Sequence, residues 1–248
     1  MPVFNEAASV GGVVSAVLQQ SCVAELIVVD DHSTDGSWSI LEEAAREEPR
    51  LQLFRHEQNL GKGAALRTGI AKASAPIVLI QDADFEYDPI EYDRLIQPIV
   101  TDSADVVFGS RFRGGGAHRV FHFWNYLGNQ LLTKLSNLVT NLNLTDMEAC
   151  YKAFRREIIQ SLEIEEHRFG FEPEITAKVA QLGVRIYEVP ISYHGRTYAE
   201  GKKVGWRDGI SAVRCIVKYN VRRKNGSHPR TESTNSASAI SRINAGPR

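Results

Sequence analysis

The feature that most constrains this chain is a series of short, almost wholly apolar runs separated by stretches of helical periodicity. Residues 24–30 (AELIVVD), 51–55 (LQLFR), 75–81 (APIVLIQ) and 105–109 (DVVFG) read as strands. A strand that does not alternate apolar with polar must be covered on both faces, and helices supply that cover in a mostly parallel sheet. The stretches between fit. Residues 35–47 (DGSWSILEEAARE) predict a helix opening on an acidic N-cap, and residues 61–73 (GKGAALRTGIAKA) a helix with small residues along one face. The fold class expected is α/β, with a mostly parallel central sheet flanked by helices.

The second half changes character. Residues 119–139 form a long helical pattern carrying Phe121, Phe123, Trp124 and Tyr126. A short strand at 150–154, a helix near 172–182 and a strand at 184–189 follow. Residues 196–203 are polar and glycine-bearing, which predicts a mobile loop. Residues 206–223 predict a final amphipathic helix. From 225 to 248, five Ser and three Arg accompany only two Ile, too little apolar surface to offset ordering entropy. The organisation expected is one domain over 1–224 and a disordered polar tail over 225–248.

Composition removes several classes. Lys and Arg number 29 against 30 Asp and Glu, a formal charge of −1, which argues against nucleic acid as a partner. Cys22, Cys150 and Cys215 form no CxxC pair, so a zinc cluster or redox dithiol is not expected. No stretch reaches the ~18 consecutive apolar residues of a membrane span. The first ten residues lack the basic and apolar regions of a secretory signal, which predicts a cytoplasmic location.

In open α/β sheets, ligands sit at the carboxyl ends of strands. Asp82-Ala83-Asp84 follows residues 75–81 directly, where two carboxylates can converge on a hard divalent cation, with Glu86 as a third oxygen donor. Mg2+ or Mn2+ bound this way completes its shell with water and substrate phosphates. Two solvated loop acids are the bland alternative. Asp30-Asp31 ends the first of these strands, at 24–30, so a carboxylate can reach a base or ribose edge, while Ser33 or Asp35 can simply cap the next helix. Ser110-Arg111-Phe112-Arg113 occupies a further carboxyl end. Arg196, Lys202 and Lys203 lie on the expected loop, where cations could close over a diphosphate. A P-loop, a G-x-G-x-x-G dinucleotide site and a G-x-S-x-G elbow are all absent.

Read in order, Pro2-Val3-Phe4-Asn5-Glu6, Val28-Val29-Asp30-Asp31-His32-Ser33-Thr34-Asp35-Gly36, Asn59-Leu60-Gly61-Lys62-Gly63 and Gln81-Asp82-Ala83-Asp84 form a recognisable series. It resembles the family-2 glycosyltransferases of GT-A fold. It is most similar to the dolichyl- or polyprenyl-phosphate mannosyltransferase branch, an assignment strengthened by Val189-Pro190-Ile191-Ser192-Tyr193 and by residues 196–202 (RTYAEGK). The resemblance covers about residues 2 to 220. It implies donor-nucleotide contacts from Pro2, Phe4, Glu6, Val29 and Asp31, and metal and diphosphate contacts at Asp82, Ala83, Asp84 and Glu86. Arg111, Arg196 and Lys202 match basic residues around the donor and acceptor phosphates. The chain departs in having Phe4 for a usual Tyr and Glu86 for a frequent Gln. The family's first strand also runs ahead of the proline, so a nearly absent first strand is expected, either real or from a misplaced start site.

The function implied is inverting transfer of a sugar from a nucleotide-diphospho-sugar, of GDP-mannose or UDP-glucose type, to a lipid phosphate such as dolichyl or polyprenyl phosphate. Such a phosphate attacks without a general base. A hydroxyl acceptor, in polysaccharide or glycolipid synthesis, would need one, and Asp146 or Glu148 is the candidate. A non-catalytic nucleotide-sugar-binding relative is the further alternative. A nucleotidyltransferase would need a glycine-rich N-terminal loop with Arg and Lys, which residues 2–6 are not. Some relatives carry transmembrane helices and this chain shows none. Its aromatic helix (119–139) and basic helix (206–223) could instead lie peripherally on the cytoplasmic membrane face.

Overall fold

The computed structural model describes residues 1–114, 120, 122–195 and 206–221. The loop expected at 196–203, with Arg196 and Lys202, and the tail expected at 225–248 therefore lie outside the described residues. The elements are β1 (Pro2–Val3), α1 (Val10–Leu18), β2 (Leu26–Asp30), α2 (Ser37–Glu47), β3 (Leu51–Arg55), α3 (Lys62–Lys72), β4 (Ile77–Leu79), α4 (Tyr92–Val100), β5 (Val106–Ser110), α5 (Phe123–Thr140), β6 (Lys152–Arg155), α6 (Arg156–Ser161), α7 (Phe171–Leu182), β7 (Ile186–Pro190) and α8 (Trp206–Val221). Strand and helix alternate from β1 to α6, and α7 then follows α6 directly before β7.

One sheet is three-stranded and parallel, in the order β1-β2-β3. β1 is as short as expected, yet it pairs in register, with Pro2 opposite Val29 and Val3 opposite Asp30. The other sheet runs β4-β6-β5-β7. There β5 and β7 are parallel, but β6 is antiparallel to both of its neighbours. A parallel crossover needs a helix laid on the sheet. α5 instead packs on α7 and α8, and the loop after it brings β6 in from the other end.

Local chemistry explains where elements stop short of the sequence pattern. Ser74 and Ala75 give their amides to Glu25 Oε1, each at 2.7 Å, so they leave the ladder and β4 begins only at Ile77. α2 begins at Ser37, behind Gly36 in the left-handed region at φ 94°. Asp35 still caps from one position back, its Oδ1 accepting the Ser37 amide at 3.1 Å and hydroxyl at 2.6 Å. The core gathers Val28, Leu41, Leu95, Val106, Phe108, Tyr151 and Phe154, all fully buried, each contributing roughly 1.5–3 kcal/mol for the larger side chains. Gln81 is one of the polar groups buried with it, and its Oε1 accepts the hydroxyls of Tyr92 at 2.6 Å and Tyr151 at 2.7 Å.

Candidate active site

A cleft of about 860 Å³ lies along the carboxyl ends of the strands. Pro2, Phe4, Glu6, Asp31, Asp82, Ala83, Asp84, Glu86 and Arg111 all line it, so the structure brings together most of the residues singled out from sequence. Val29 does not line it. Its side chain is buried in β2 against α3, where Gly69 leaves room for it.

The rim begins with two short turns laced side by side. Asn5 follows β1 at φ 50° and His32 follows β2 at φ 65°, left-handed positions that turn the chain sharply at each strand end. Asn5 Oδ1 accepts the Thr34 amide at 2.8 Å, Ser33 Oγ accepts the Asn5 amide at 3.0 Å, and Ser37 Oγ accepts the Glu6 amide at 2.9 Å. Ser9 Oγ ties the same rim to the Ala83 carbonyl at 2.9 Å. Residues 5–6 are thus laced to residues 33–37 by side-chain-to-backbone bonds, and the Ser9 hydroxyl links this rim to residue 83.

Asp31 is held more tightly than its sequence position foretells. Its Oδ1 accepts Leu60 N at 2.9 Å and lies 2.7 Å from His56 Nδ1, and its Oδ2 accepts Gly61 N at 2.6 Å. His56 Nε2 in turn meets Thr68 Oγ1 at 2.9 Å. The buried carboxylate therefore clamps the start of α3 as well as facing the cleft.

The glycines flanking Lys62 answer to packing, not to a phosphate loop. Gly61 sits at φ 97°, and a Cβ there would stand 2.3 Å from the His167 carbonyl oxygen. A Cβ on Gly63 would stand 2.1 Å from the Glu166 carbonyl oxygen. Backbone cannot give way as a side-chain end can, so residues 165–168 and the start of α3 meet only because both positions lack a side chain. Between them Lys62 reaches into the cleft, its Nζ 3.0 Å from Asp82 Oδ1 and 3.1 Å from Glu172 Oε1. Burial alone would raise the Asp82 pKa, but Lys62 and the Cys150 thiol outweigh it and hold the carboxyl below its ordinary value. Lys62 stays charged for the same reason, lifted by Asp82 and Glu172 against its own burial.

Asp84 and Asp82 suit a Mg2+ or Mn2+ that takes few carboxylates and fills its shell from phosphate and water. The residues do not make a three-carboxylate cage. Among the described residues, no group of three or more His, Cys, Asp or Glu is placed to hold a metal ion. Glu86 Oε2 accepts the Tyr193 hydroxyl at 3.1 Å, and the Glu86 carbonyl accepts the His194 amide at 2.9 Å. Glu86, expected as a third ligand, ties residues 193–194 to the cleft in this structure.

Arg111 lies beneath the opposite wall. Its Nε donates to Asp146 Oδ2 at 2.6 Å and its Nη2 to Oδ1 at 2.8 Å, a bidentate pair, and its own amide adds a third bond at 3.1 Å. The guanidinium also lies 5.0 Å from the Tyr193 ring centroid. Asp146 is fully buried and committed to Arg111, which corrects its expected candidacy as a base. Glu148 is different. It lines the cleft, its Oε1 is buried without a partner, and burial together with Glu172 pushes its carboxyl up to about 7.

Sequence reasoning passed over Lys62, Glu172, His56 and Tyr193. Lys62 stood inside a quoted motif but was set aside once the P-loop pattern failed. Tyr193 likewise stood in a quoted motif without a site role, and Glu172 had no local signal, because only the fold carries α7 and the β7 exit to the strand ends.

The sequence model described as glycosyl transferase family 2 matches residues 1–162. An undecaprenyl-phosphate mannosyltransferase of Micrococcus luteus is 28% identical over 219 residues, spanning 86% of this chain and 89% of the relative. A polyprenol monophosphomannose synthase of Mycolicibacterium smegmatis is 26% identical over 212 residues, spanning 83% and 80%. Among solved structures, glucosyl-3-phosphoglycerate synthase from Mycobacterium tuberculosis in complex with Mn2+, uridine diphosphate and glucosyl-3-phosphoglycerate superposes with a TM-score of 0.68 at 21% identity. That match covers 89% of this chain and 78% of the other. The same enzyme with Mn2+ and UDP-glucose gives 0.68 at 20% identity over 89% and 77%. At such identities the likeness is one of fold, and the fold is GT-A.

Proposed function

Since the chain belongs to glycosyl transferase family 2, we propose that it is an inverting transferase moving a sugar from a nucleotide-diphospho-sugar to a polyprenyl phosphate, with residues 1–224 as its catalytic domain. The observation that carries the acceptor class is the pair of relatives named for polyprenyl-phosphate substrates, which align over 86% and 83% of this chain. In the reaction an acceptor phosphate oxygen bonds to the anomeric carbon from the face opposite the donor diphosphate. The carbon–oxygen bond to that diphosphate breaks and the nucleoside diphosphate leaves. A lipid monophosphate with a second pKa near ~6 is already ionised at neutral pH, so the chain need not supply a base.

The chain's part is to position and to shield charge. Pro2, Phe4, Glu6 and Asp31 are assigned to the nucleoside end by resemblance, with Lys62 beside them in the cleft and Val29 buried behind it. Asp84 with Asp82 would hold Mg2+ or Mn2+, and Ala83 lies between them. When bound, such a cation offsets the negative charge of the departing diphosphate. Arg111, with Arg196 and Lys202, is assigned to the phosphates.

A lipid acceptor also accounts for α5, whose polarity is inside out. Its buried residues are Thr133, Ser136 and Thr140, while Trp124 is 76% exposed, Leu131 66% and Leu138 80%. On α8, Ile210 and Val217 are exposed too. These side chains continue from the cleft, where Trp124 and Tyr126 of α5 and Gly209 and Ala212 of α8 form part of the lining. Among the described residues no helix is long and apolar enough to cross a membrane. Peripheral contact of this face with the cytoplasmic leaflet is the arrangement that delivers a polyprenyl phosphate to the cleft.

The test is transfer from radiolabelled GDP-mannose and UDP-glucose, with Mn2+, into vesicles carrying undecaprenyl phosphate. Label in the butanol-extractable phase supports the reading, and label that stays in water with every donor rejects it. The buried Glu148 carboxyl favours a second reading, a hydroxyl acceptor activated by that residue. Transfer to glycolipid hydroxyls in place of phosphates would establish it.

A further inference from the structure

Three buried side-chain oxygens among the described residues have no partner: Asp30 Oδ1, Glu148 Oε1 and Asn220 Oδ1. Of these residues only Glu148 lines the cleft. A buried oxygen with nothing to bond carries a desolvation cost until a ligand supplies the partner. Its setting narrows what that ligand can be. The charged groups facing Glu148 are Glu172 of α7, Lys152 of β6, Arg111 after β5 and Asp146 of its own loop. Arg111 is bound to Asp146, and Lys152 Nζ donates to the carbonyls of Met147 and Ala149, which fixes the loop that presents Glu148. Lys62 of α3 joins Glu172 to Asp82, so three cations meet three carboxylates here. An ionised Glu148 would tip this surround negative, whereas a neutral one leaves it balanced and supplies an O–H donor.

We propose that Glu148 receives the acceptor phosphate, its neutral carboxyl donating a hydrogen bond to an oxygen of the incoming lipid monophosphate. The inference rests on the lipid-phosphate reading above and names the contact that reading lacks. The carboxyl keeps its proton to about pH 7, and the phosphate has lost its second proton above ~6, so the matched pair of states occupies the window between them. No bond is made or broken by Glu148, and the proton stays on its oxygen through transfer. A general base would behave oppositely, gaining activity as it ionises.

The experiment measures acceptor KM and kcat between pH 6 and 8.5 for the full chain, with radiolabelled donor and undecaprenyl phosphate in detergent micelles. In the wild type, acceptor KM should climb above pH 7 toward about tenfold per unit, as the donor form is lost. Glu148→Gln, which presents an amide donor at every pH, should abolish that slope, and Glu148→Asp, which still titrates, should keep it. Persistence of the slope in Glu148→Gln overturns the inference. So does a loss of kcat by about a hundredfold with KM unmoved, the signature of a base. A wild type that transfers to no lipid phosphate overturns both this inference and the reading beneath it, whereas a retained slope in an active Glu148→Gln overturns this inference alone. Calorimetry of farnesyl phosphate binding in buffers of different ionisation enthalpy gives a readout without turnover. Proton uptake at pH 7.5 should be present in the wild type and lost in Glu148→Gln, and equal uptake in both overturns the inference.

Discussion

Replacing Asp146 by Asn separates an anchor from a base. The change keeps the size of a fully buried side chain and removes its charge. Oδ2 now accepts two donors from Arg111, at 2.6 and 3.1 Å, and Oδ1 a third at 2.8 Å. A carboxamide has one acceptor oxygen, so whichever way it flips its NH2 must face an Arg111 donor. At least one charge-assisted bond is lost, about 1.5–3 kcal/mol. The guanidinium, only 11% exposed, is left without a counter-charge. Breaking a buried pair from one side costs about 3–5 kcal/mol. In a chain of this length 1 kcal/mol moves the melting midpoint by about 2–4 °C, so Asp146→Asn should lower Tm by about 6–20 °C. Urea unfolding followed by circular dichroism measures the free energy, and scanning calorimetry the midpoint. Arg111→Met combined with Asp146→Leu should recover most of the stability, since no buried charge remains unpaired. A single Asn variant within about 1 kcal/mol of wild type, but slowed about a hundredfold in transfer, would refute the anchor and restore the base.

Four further outcomes follow. Gly63→Ala should destabilise by about 1–3 kcal/mol because its Cβ meets backbone, whereas Gly128→Ala, with open space around it, should be neutral or stabilising; equal urea midpoints refute the packing account. Asp84→Asn should abolish transfer at saturating Mn2+ and leave the urea midpoint in place, and normal turnover removes Asp84 from the metal site. Leu131→Ser with Leu138→Ser should weaken binding to anionic vesicles by about tenfold or more in a sedimentation assay, and undiminished binding dismisses that face. Stability should itself report on Glu148: its folded pKa of about 7 lies above the ordinary 4.5, so the folded state binds more protons across that interval and stability falls as pH rises through it. Glu148→Gln should flatten that fall in urea midpoints measured at pH 5 to 7.5, and an unaltered profile contradicts the perturbed carboxyl.

Fold and site were legible to different depths. Apolar runs without alternation announced β2, β4 and β5 as strands covered on both faces, and the acids and Arg111 at their carboxyl ends followed from topology alone. The reversal of β6 carried no such mark, since a strand's direction depends on where the preceding helix packs. Asp82 and Asp84 were visible as a local pattern, but Lys62 and Glu172, which share their charge, come from elements far apart in the chain. Asp146 shows the limit plainly. Its neighbour in sequence, Glu148, has the same chemistry, and only burial beside Arg111 makes one an anchor and the other a titrating group.

The approach of residues 165–168 to Gly61 and Gly63 has a bearing on how such a chain can be recombined. Glu166 sits within that contact and also binds Arg214, Lys218 and the Tyr219 hydroxyl of α8, at 2.7 to 2.9 Å. Three segments distant in sequence are thereby keyed together, α3 to residues 166–167 through bare backbone and α8 to Glu166 through side chains. A hybrid spliced between residues 63 and 166 inherits one side of the key from each parent, and a single methyl group on either glycine, or a loop placed an ångström nearer, jams it. Crossovers placed before residue 61 or after residue 219 carry the key intact.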